Sequence, residues 1–319
     1  MSTPRIGVVG ATGAVGTVTL ELLAERGYED VRAFASRRSA GGRLPFGDDE
    51  LVVEEATPEA LAAGDLDLCL FSVGTSASRA LVPHAASAGV LCVDKSSAYR
   101  LVDGYPLVVP EVNGARALEA VASHRIVANP NCCAIPLTCA LRPLRDAAGL
   151  RAVRVATYQS VSGAGAQRME QLRGEAAADH DLVMDWSWEG AESDEESKLR
   201  AETRKILELP DLPVSATCVR VPVLIGHSEA VWVELEEPLS AASAAELLRR
   251  APGLRVLDLP EFPTPAAAAG GDEVLLGRIR ATGPSELALY LSCDNLRKGA
   301  ALNAIQIAEL LLSGVPQVA

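Results

Sequence analysis

Residues 5–16 read Arg5-Ile-Gly-Val-Val-Gly10-Ala-Thr-Gly13-Ala-Val-Gly16, a short apolar run that passes straight into three glycines. Residues 5–9 have the length and composition of a buried strand, and Thr17 to Arg26 read as a helix. The glycine spacing between them is GxxGxxG. Glycine permits a tight strand-to-helix turn and lets backbone N–H groups approach a pyrophosphate at the helix N-terminus. A merely tight βα turn would use the same residues. The position of the motif, after a strand and before a helix, favours a dinucleotide fingerprint.

Working outward, Val31 to Ala35 reads as a second strand and ends in Ser36-Arg37-Arg38-Ser39-Ala40-Gly41. This is where a fold specific for NAD places an acidic residue on the ribose 2′-hydroxyl. Two arginines and two serines suit a 2′-phosphate instead, so NADP is expected, the alternative being a solvated basic turn. Further strands are predicted at 51–53, 66–73, 90–93, 107–109 and 124–128, with helices over 77–88 and 114–123. Strands that alternate with helices predict an α/β fold with an N-terminal Rossmann-type parallel sheet, which binds ligands at strand C-terminal ends.

From residue 151 the pattern changes. Strands are predicted at 151–159, 214–223, 230–235, 254–257, 274–280 and 287–293, with fewer helices between them (166–178, 195–207, 241–251). This predicts a second, α+β domain with a mixed or antiparallel sheet. Residues 179–193 read as irregular and 266–271 as a loop. A long apolar helix from Asn295 to Leu312 is expected to return to the first domain. The expected division is therefore 1–131, completed by 295–319, and 132–294.

The chain has 319 residues, room for about two domains. Only 4% of residues are aromatic, so the core must be built from Val, Leu, Ile and Ala, as in parallel sheets covered by helices. A net charge of -13 argues against nucleic acid as a partner, although a local cluster of cations can still hold an anion. Neither a secretory leader pattern nor an apolar run of membrane-spanning length is apparent. Seven cysteines without metal spacing predict no metal site and a reduced, cytoplasmic compartment. Five of them (Cys69, Cys92, Cys139, Cys218 and Cys293) lie in apolar stretches and read as small buried hydrophobes.

The other two sit in Asn129-Pro-Asn131-Cys132-Cys133, where a predicted strand hands over to a helix. Helix-start N–H groups favour a thiolate, so either cysteine could be a nucleophile. Of the four histidines, His84 and His124 read as structural and His180 falls in the irregular segment. His227 is framed by Gly226 and Ser228 and reads as a general base or as a satisfied turn histidine. Arg220, on an apolar strand, needs a counter-charge, either a substrate carboxylate or an internal ion pair. Glu195 and Lys198 share a helix face, the bland reading being a surface pair.

Taken in order, GATGAVG (10–16), ASRRSAG (35–41), SSAYR (96–100), VVPEVN (108–113), ANPNC (128–132), YQSVSGAG (158–165), ETRKIL (202–207), RVPVLIGHSEAV (220–231), LLGRIR (275–280) and DNLRKGAALNAIQIAELL (294–311) resemble the aspartate-semialdehyde dehydrogenase family from residue 5 to about 312. The resemblance implies Cys132 as the acyl-thioester nucleophile, Asn131 as an oxyanion donor, and His227 as the acid/base. It implies that Gln159 and Arg220 orient the substrate and bind its carboxylate. Arg100 and Lys198 are implied as phosphate ligands and Glu195 as an acidic substrate contact. The NADP site implied is Gly10, Thr12, Gly13, Ala14, Val15, Gly16, Arg38, Ser39, Ser162, Gly163 and Asn295.

The activity implied is reductive dephosphorylation of L-4-aspartyl phosphate to L-aspartate 4-semialdehyde by NADPH, with phosphate released. It serves lysine, diaminopimelate, threonine, methionine and isoleucine biosynthesis, in a homodimer. The competing readings are an N-acetyl-gamma-glutamyl-phosphate reductase and a non-catalytic relative of the fold. This chain departs from the family pattern at Cys133-Ala134 (usually Ser-Thr), at Pro136 (often Gln), at Lys95 (usually Asn) and over residues 176–193.

Overall fold

The computed structural model describes residues 3–174 and 186–314. The chain forms two compact units, residues 1–130 with 300–319, and residues 131–299.

The first unit is built on β1 (Ile6–Val9), β2 (Val31–Ala35), β3 (Arg43–Phe46), β4 (Asp49–Glu55), β5 (Leu68–Phe71), β6 (Leu91–Asp94) and β7 (Ile126–Ala128), in the sheet order β3-β4-β2-β1-β5-β6-β7. All pairs are parallel except β3 with β4. Every residue of β1, β5, β6 and β7 is buried, as a sheet covered on both faces requires. Its helices are α1 (Ala14–Glu25), α2 (Pro58–Leu61), α3 (Thr75–Ser87), α4 (Pro110–Asn113) and α5 (Ala117–Val121).

The helix Leu302–Gly314 closes this unit against α1 and α5, with Ile305, Ala308 and Leu311 in its core. Asn303 on that helix is buried, and its amide donates to Val108 O (3.0 Å) and Asn129 Oδ1 (2.7 Å). The C-terminal segment is not helical from Asn295. A π-helical turn over Arg297–Ala301 precedes the α-helix.

The strand expected at 51–53 lies within β4, which also forms a hairpin with β3. Two further expectations for this unit are corrected. The strand expected at 107–109 is only an isolated bridge, Leu107 to Ala128. Pro106 and Pro110 flank it, and a proline has no N–H for a ladder. The helix expected over 114–123 is shorter and begins with a 3-10 turn at Gly114–Arg116.

The second unit holds α6 (Ala134–Ala148), β8 (Leu150–Gln159), α7 (Ala166–Arg173), β9 (Trp188–Glu189), β10 (Glu192–Ser193), α8 (Asp194–Leu207), β11 (Val214–Arg220), β12 (His227–Leu235), α9 (Ala241–Arg250), β13 (Leu254–Val256), α10 (Pro265–Ala268), β14 (Val274–Gly283) and β15 (Glu286–Cys293). Six of the strands form a mixed sheet, β11-β8-β12-β15-β14-β13. Both outer pairs are parallel and the inner ones antiparallel. Helices α6, α8 and α9 cover one face.

On the opposite face stand Tyr158, Trp232 and Tyr290. Tyr290 stacks on Phe262 (5.3 Å) and lies 6.4 Å from Tyr158. Residues 266–271 are not merely a loop. Thr264 accepts from Ala267 N (3.1 Å) and caps the short α10. Of the segment expected to be irregular, residues 186–193 include the small β9–β10 hairpin. Residues 175–185, with His180, lie outside the described residues.

Candidate functional site

Strand register assembles the site in the second unit. Arg220 on β11 pairs with Gln159 on β8, and two residues earlier Cys218 pairs with Thr157. On β12, Glu229 pairs with Thr157 and with Leu291 on β15, while His227 pairs with Cys293. Side chains alternate along a strand, so one face carries two adjacent rows. Arg220, Gln159, His227 and Cys293 form the first, and Cys218, Thr157, Glu229 and Leu291 the second. His227 is thus the first residue of β12 and not part of a turn before it, which accounts for its complete burial.

Cys132 lies just ahead of α6, whose first turn has no side-chain cap. It is partly exposed, whereas Cys133 is buried. The side chains of Cys132, Cys133 and His227 approach within 4.8 Å of one another. A hydrogen bond from the Cys133 thiol, together with His227 and Arg220, holds the Cys132 thiol well below the ordinary cysteine range against the cost of burial. Burial pushes the Cys133 thiol well above that range. The two adjacent cysteines, equivalent in sequence, are therefore opposite in character.

The backbone N–H of Ser160 donates to His227 Nδ1 (3.0 Å). The neutral ring consequently carries its proton on Nε2, which has no hydrogen-bonding partner among the described residues. Two thiols and an imidazole could suggest a soft metal site. A ligating histidine, however, donates from its second nitrogen, and here that nitrogen faces a fixed N–H. The donor set does not fit a metal ion.

Around this pair the predicted residues are tightly tied. Asn131 Oδ1 accepts from Cys133 N (2.8 Å) and its Nδ2 donates to Glu195 Oε1 (2.9 Å). Gln159 Nε2 donates to the same oxygen (2.9 Å), and Thr157 donates to Gln159 Oε1 (3.1 Å). Glu195 is buried and not part of a surface pair. Lys198 pairs instead with Asp194 (2.7 Å), one turn away, and both are half-buried. Arg220 donates to Ser160 O (3.0 Å), and its guanidinium lies 4.9 Å from the centre of the Trp186 ring.

Gly163 lies against both Arg220 and His227, where a Cβ would come within 2.9 Å and 3.3 Å of them. Asn295 Oδ1 accepts from Gly226 N (2.9 Å) and Ser160 Oγ (3.0 Å), and its Nδ2 donates to Ser162 Oγ (2.8 Å).

Several participants escaped the sequence reading. Glu202 accepts from Asn131 N (2.6 Å) and so anchors the turn that carries Cys132. Its signal was its spacing seven residues after Glu195, on the same buried face of α8 as Leu199 and Ile206. Ser160, Thr157 and Trp186 left no such signal, because their partners are set only by strand pairing.

In the first unit the glycine turn has the expected shape. Gly10 adopts φ +84°, and a Cβ on Gly16 would lie 2.1 Å from Gly10 O. No side chain caps α1, so its first-turn N–H groups can receive an anion, with Thr12 exposed and Gly13, Ala14 and Val15 half-buried beside them. Arg38 is exposed and Ser39 half-buried after β2. These residues fit a dinucleotide phosphate group.

Arg100 donates to the carbonyls of Asn129 (2.9 Å) and Lys95 (2.7 Å). Lys95 donates to Thr19 Oγ1 (3.1 Å), and burial pushes its ammonium down to about 7. His84 is exposed near the end of α3. His124 stacks on Tyr105 (4.0 Å) and bonds to Gly104 O (2.7 Å).

An activated thiol beside an imidazole N–H suits acyl chemistry, and a phosphate-receiving turn suits a nucleotide that carries reducing equivalents. This is the equipment of a nucleotide-dependent oxidoreductase. The chain belongs to the aspartate-semialdehyde dehydrogenase family. Residues 5–120 match the semialdehyde dehydrogenase NAD binding domain, and residues 141–188 and 184–298 match its dimerisation domain. The chain is 42% identical to the aspartate-semialdehyde dehydrogenase of Aquifex aeolicus, over 97% of this chain and 98% of that one.

Among solved structures it is similar to aspartate semialdehyde dehydrogenase II of Vibrio cholerae complexed with ASA (TM-score 0.93, 37% identity, 98% of this chain and 99% of that one). It is also similar to the Candida albicans enzyme with NADP (TM-score 0.79, 26% identity, 98% of this chain and 99% of that one).

Proposed function

We propose that this chain catalyses NADP-dependent reductive dephosphorylation of L-4-aspartyl phosphate to L-aspartate 4-semialdehyde, with Cys132 as the nucleophile. The observation that carries this is the Cys132 thiol, acidified at a helix start and facing a buried His227 within 4.8 Å. The thiolate attacks the acyl phosphate and phosphate leaves, giving a thioester on Cys132. NADPH, when bound, would supply a hydride to the thioester carbonyl carbon, and the C–S bond then breaks to release the aldehyde and return Cys132 as the thiolate. The His227 Nε2–H stabilises the thiolate at rest and donates to the substrate oxygen as it becomes negative at each tetrahedral stage.

Asn131, with one amide N–H given to Glu195, has a second to offer the same oxygen. Gln159 and Arg220, neighbours in one row, orient the substrate and receive its carboxylate. Arg100 and Lys198 are the phosphate ligands, and Glu195 fixes Asn131 and Gln159 while meeting the substrate. The nucleotide is held by Gly10, Thr12 to Gly16, Arg38, Ser39, Ser162, Gly163 and Asn295, with Arg38 on its 2′-phosphate.

A homodimer is supported by the aromatic sheet face of Tyr158, Trp232 and Tyr290, which lies opposite the helices. Seven free thiols suit a reducing, cytoplasmic setting. Among the described residues no helix is long and apolar enough to cross a membrane.

The test is phosphate-dependent reduction of NADP with L-aspartate 4-semialdehyde, run beside N-acetylglutamate semialdehyde. Turnover of the first substrate is expected. Turnover of the second alone would replace this reading with its runner-up.

A further inference from the structure

Arg220, the last residue of β11, meets an aromatic ring. Its guanidinium carbon lies 4.9 Å from the centre of the Trp186 ring, within the range of a cation–π contact. Arg220 is only 5% exposed and Trp186 is half-buried. Such contacts strengthen as water is removed from them, so this one counts for more than a surface pair.

The ring is carried by a braced segment. The carbonyl of Ser187, the next residue, accepts from Asp194 N (2.8 Å) at the start of α8. The β9–β10 hairpin follows directly, with Trp188 paired to Ser193 and Glu189 to Glu192. Glu192 pairs with Arg200 of α8, and Ser193 caps that helix in a reciprocal box with Glu196. Glu196 also reaches the edge strand, accepting from Cys218 N (2.9 Å), two residues before Arg220. Hairpin, helix start and strand end are fastened together, and Trp186 enters the site from that assembly.

We propose that Trp186 is a positioning residue that holds the Arg220 fork in the plane from which it receives the substrate's carboxylate. This rests on Arg220 being the carboxylate ligand. Two-pronged binding of a carboxylate requires a guanidinium of fixed orientation. The hydrogen bond from Nη1 to Ser160 O (3.0 Å) fixes one point of the fork, and a ring against its face fixes the plane. Gly163 leaves room for this arrangement, because a Cβ there would come within 2.9 Å of the same Nη1. An aromatic ring holds a guanidinium through its face and leaves the N–H edge to hydrogen bonds. Trp186 stands in the stretch over which this chain departs from its family pattern, so the contact belongs to this chain's own version of the site. It acts through Arg220, and its loss is read in substrate affinity and not in the chemical step.

The experiment is steady-state kinetics of phosphate-dependent NADP reduction with L-aspartate 4-semialdehyde in the full chain, including a double-variant cycle. Trp186→Leu is expected to raise the KM for the semialdehyde by about tenfold, with kcat within about twofold and the KM for NADP unchanged. Trp186→Phe keeps a smaller aromatic face and is expected to raise it by only about threefold. Trp188→Leu, at the exposed neighbouring ring, is expected to match the parent. Arg220→Lys keeps the charge without the fork and is expected to raise the KM by itself. In that background Trp186→Leu is expected to add less than about twofold, because the two changes remove one interaction.

An unchanged KM in Trp186→Leu overturns the proposal. An equal loss in kcat or in NADP affinity also overturns it, since that marks a loosened fold. So does full additivity with Arg220→Lys, which means that the ring acts elsewhere. Where Trp186→Leu does not fold, Trp186→Phe decides. A rise that vanishes in the Arg220→Lys background supports the proposal, and no rise, or one that persists there, overturns it. If Arg220→Lys alone leaves the KM unchanged, Arg220 is not the carboxylate ligand and that part of the functional reading falls. A KM raised by Arg220→Lys but not by Trp186→Leu overturns this inference alone.

Discussion

The backbone N–H of Ser160 points at Nδ1 of His227 across 3.0 Å, and this contact decides which nitrogen of the ring faces the nucleophile with a proton. A backbone donor cannot be rotated away as a hydroxyl can. Ser160 Oγ, 3.1 Å from the same nitrogen, is the adjustable partner that accepts if the ring becomes doubly protonated.

For His227 the expected tautomer is therefore Nε2–H, read directly by nitrogen NMR of histidine-labelled protein. A neutral ring found protonated at Nδ1 would contradict the assignment. His227→Ala should lower turnover by about 10²–10⁴-fold, the ordinary size of a lost proton donor.

The two adjacent thiols should separate cleanly. Cys132→Ala is expected to abolish turnover, with a loss of more than about 10⁴-fold, as for other covalent nucleophiles. Cys133→Ser keeps a donor toward Cys132 and should lose about tenfold or less. Steady-state rates of the two variants check this, and the reverse order would mean that the other cysteine reacts.

Arg38→Ala should raise the KM for NADP by about tenfold or more, as expected when a charged hydrogen bond to phosphate is lost, while use of NAD is unchanged or improved. Equal effects on both nucleotides would show that Arg38 does not contact the 2′-phosphate.

Glu195 gathers the amides of Asn131 and Gln159 on one oxygen. Glu195→Gln removes the charge that strengthens both bonds and should cost about 1.5–3 kcal/mol, read by chemical denaturation. The loosened Asn131 and Gln159 should also raise the substrate KM. Unchanged stability with unchanged KM would mean that the pair does not depend on this carboxylate.

Lys95 makes a pH prediction. Its amino group, pushed down to about 7 by burial, is neutral in the folded chain above that pH but still charged in the unfolded chain up to its ordinary 10.5. Between these values the unfolded state binds more protons, so stability rises with pH. An increase of about 1–2 kcal/mol between pH 7 and 9 is expected after allowing for the half-buried side chain. Lys95→Met should flatten the profile, and denaturation midpoints at several pH values test it.

Much of the molecule can be read from the chain alone because the physics behind it is local. The apolar run at Ile6–Val9, the glycines at 10, 13 and 16 and the helix after them are short-range preferences, and so is the period-two alternation of β8. Proline and glycine also act locally, as Pro110 shows by starting α4 directly after the segment expected to be a strand at 107–109. The presence of a thiol at the start of α6 belongs to the same class.

What only the tertiary structure decided is which groups touch. Arg220, Gln159 and His227 stand in one row because β11, β8 and β12 pair in a particular register, and a slip of one residue would turn each to the other face. Glu195 left its apparent partner Lys198 for two amides from distant segments, because its carboxylate is buried beside Asn131 and Gln159 while the half-buried Lys198 pairs with Asp194. Ser160 and His227 are 67 residues apart, and nothing near either one announces the other. The sequence by itself determined the elements and the reactive residue types. Strand register and burial, which depend on the whole chain at once, determined which thiol is acidic, which carboxyl is buried and which way the imidazole faces.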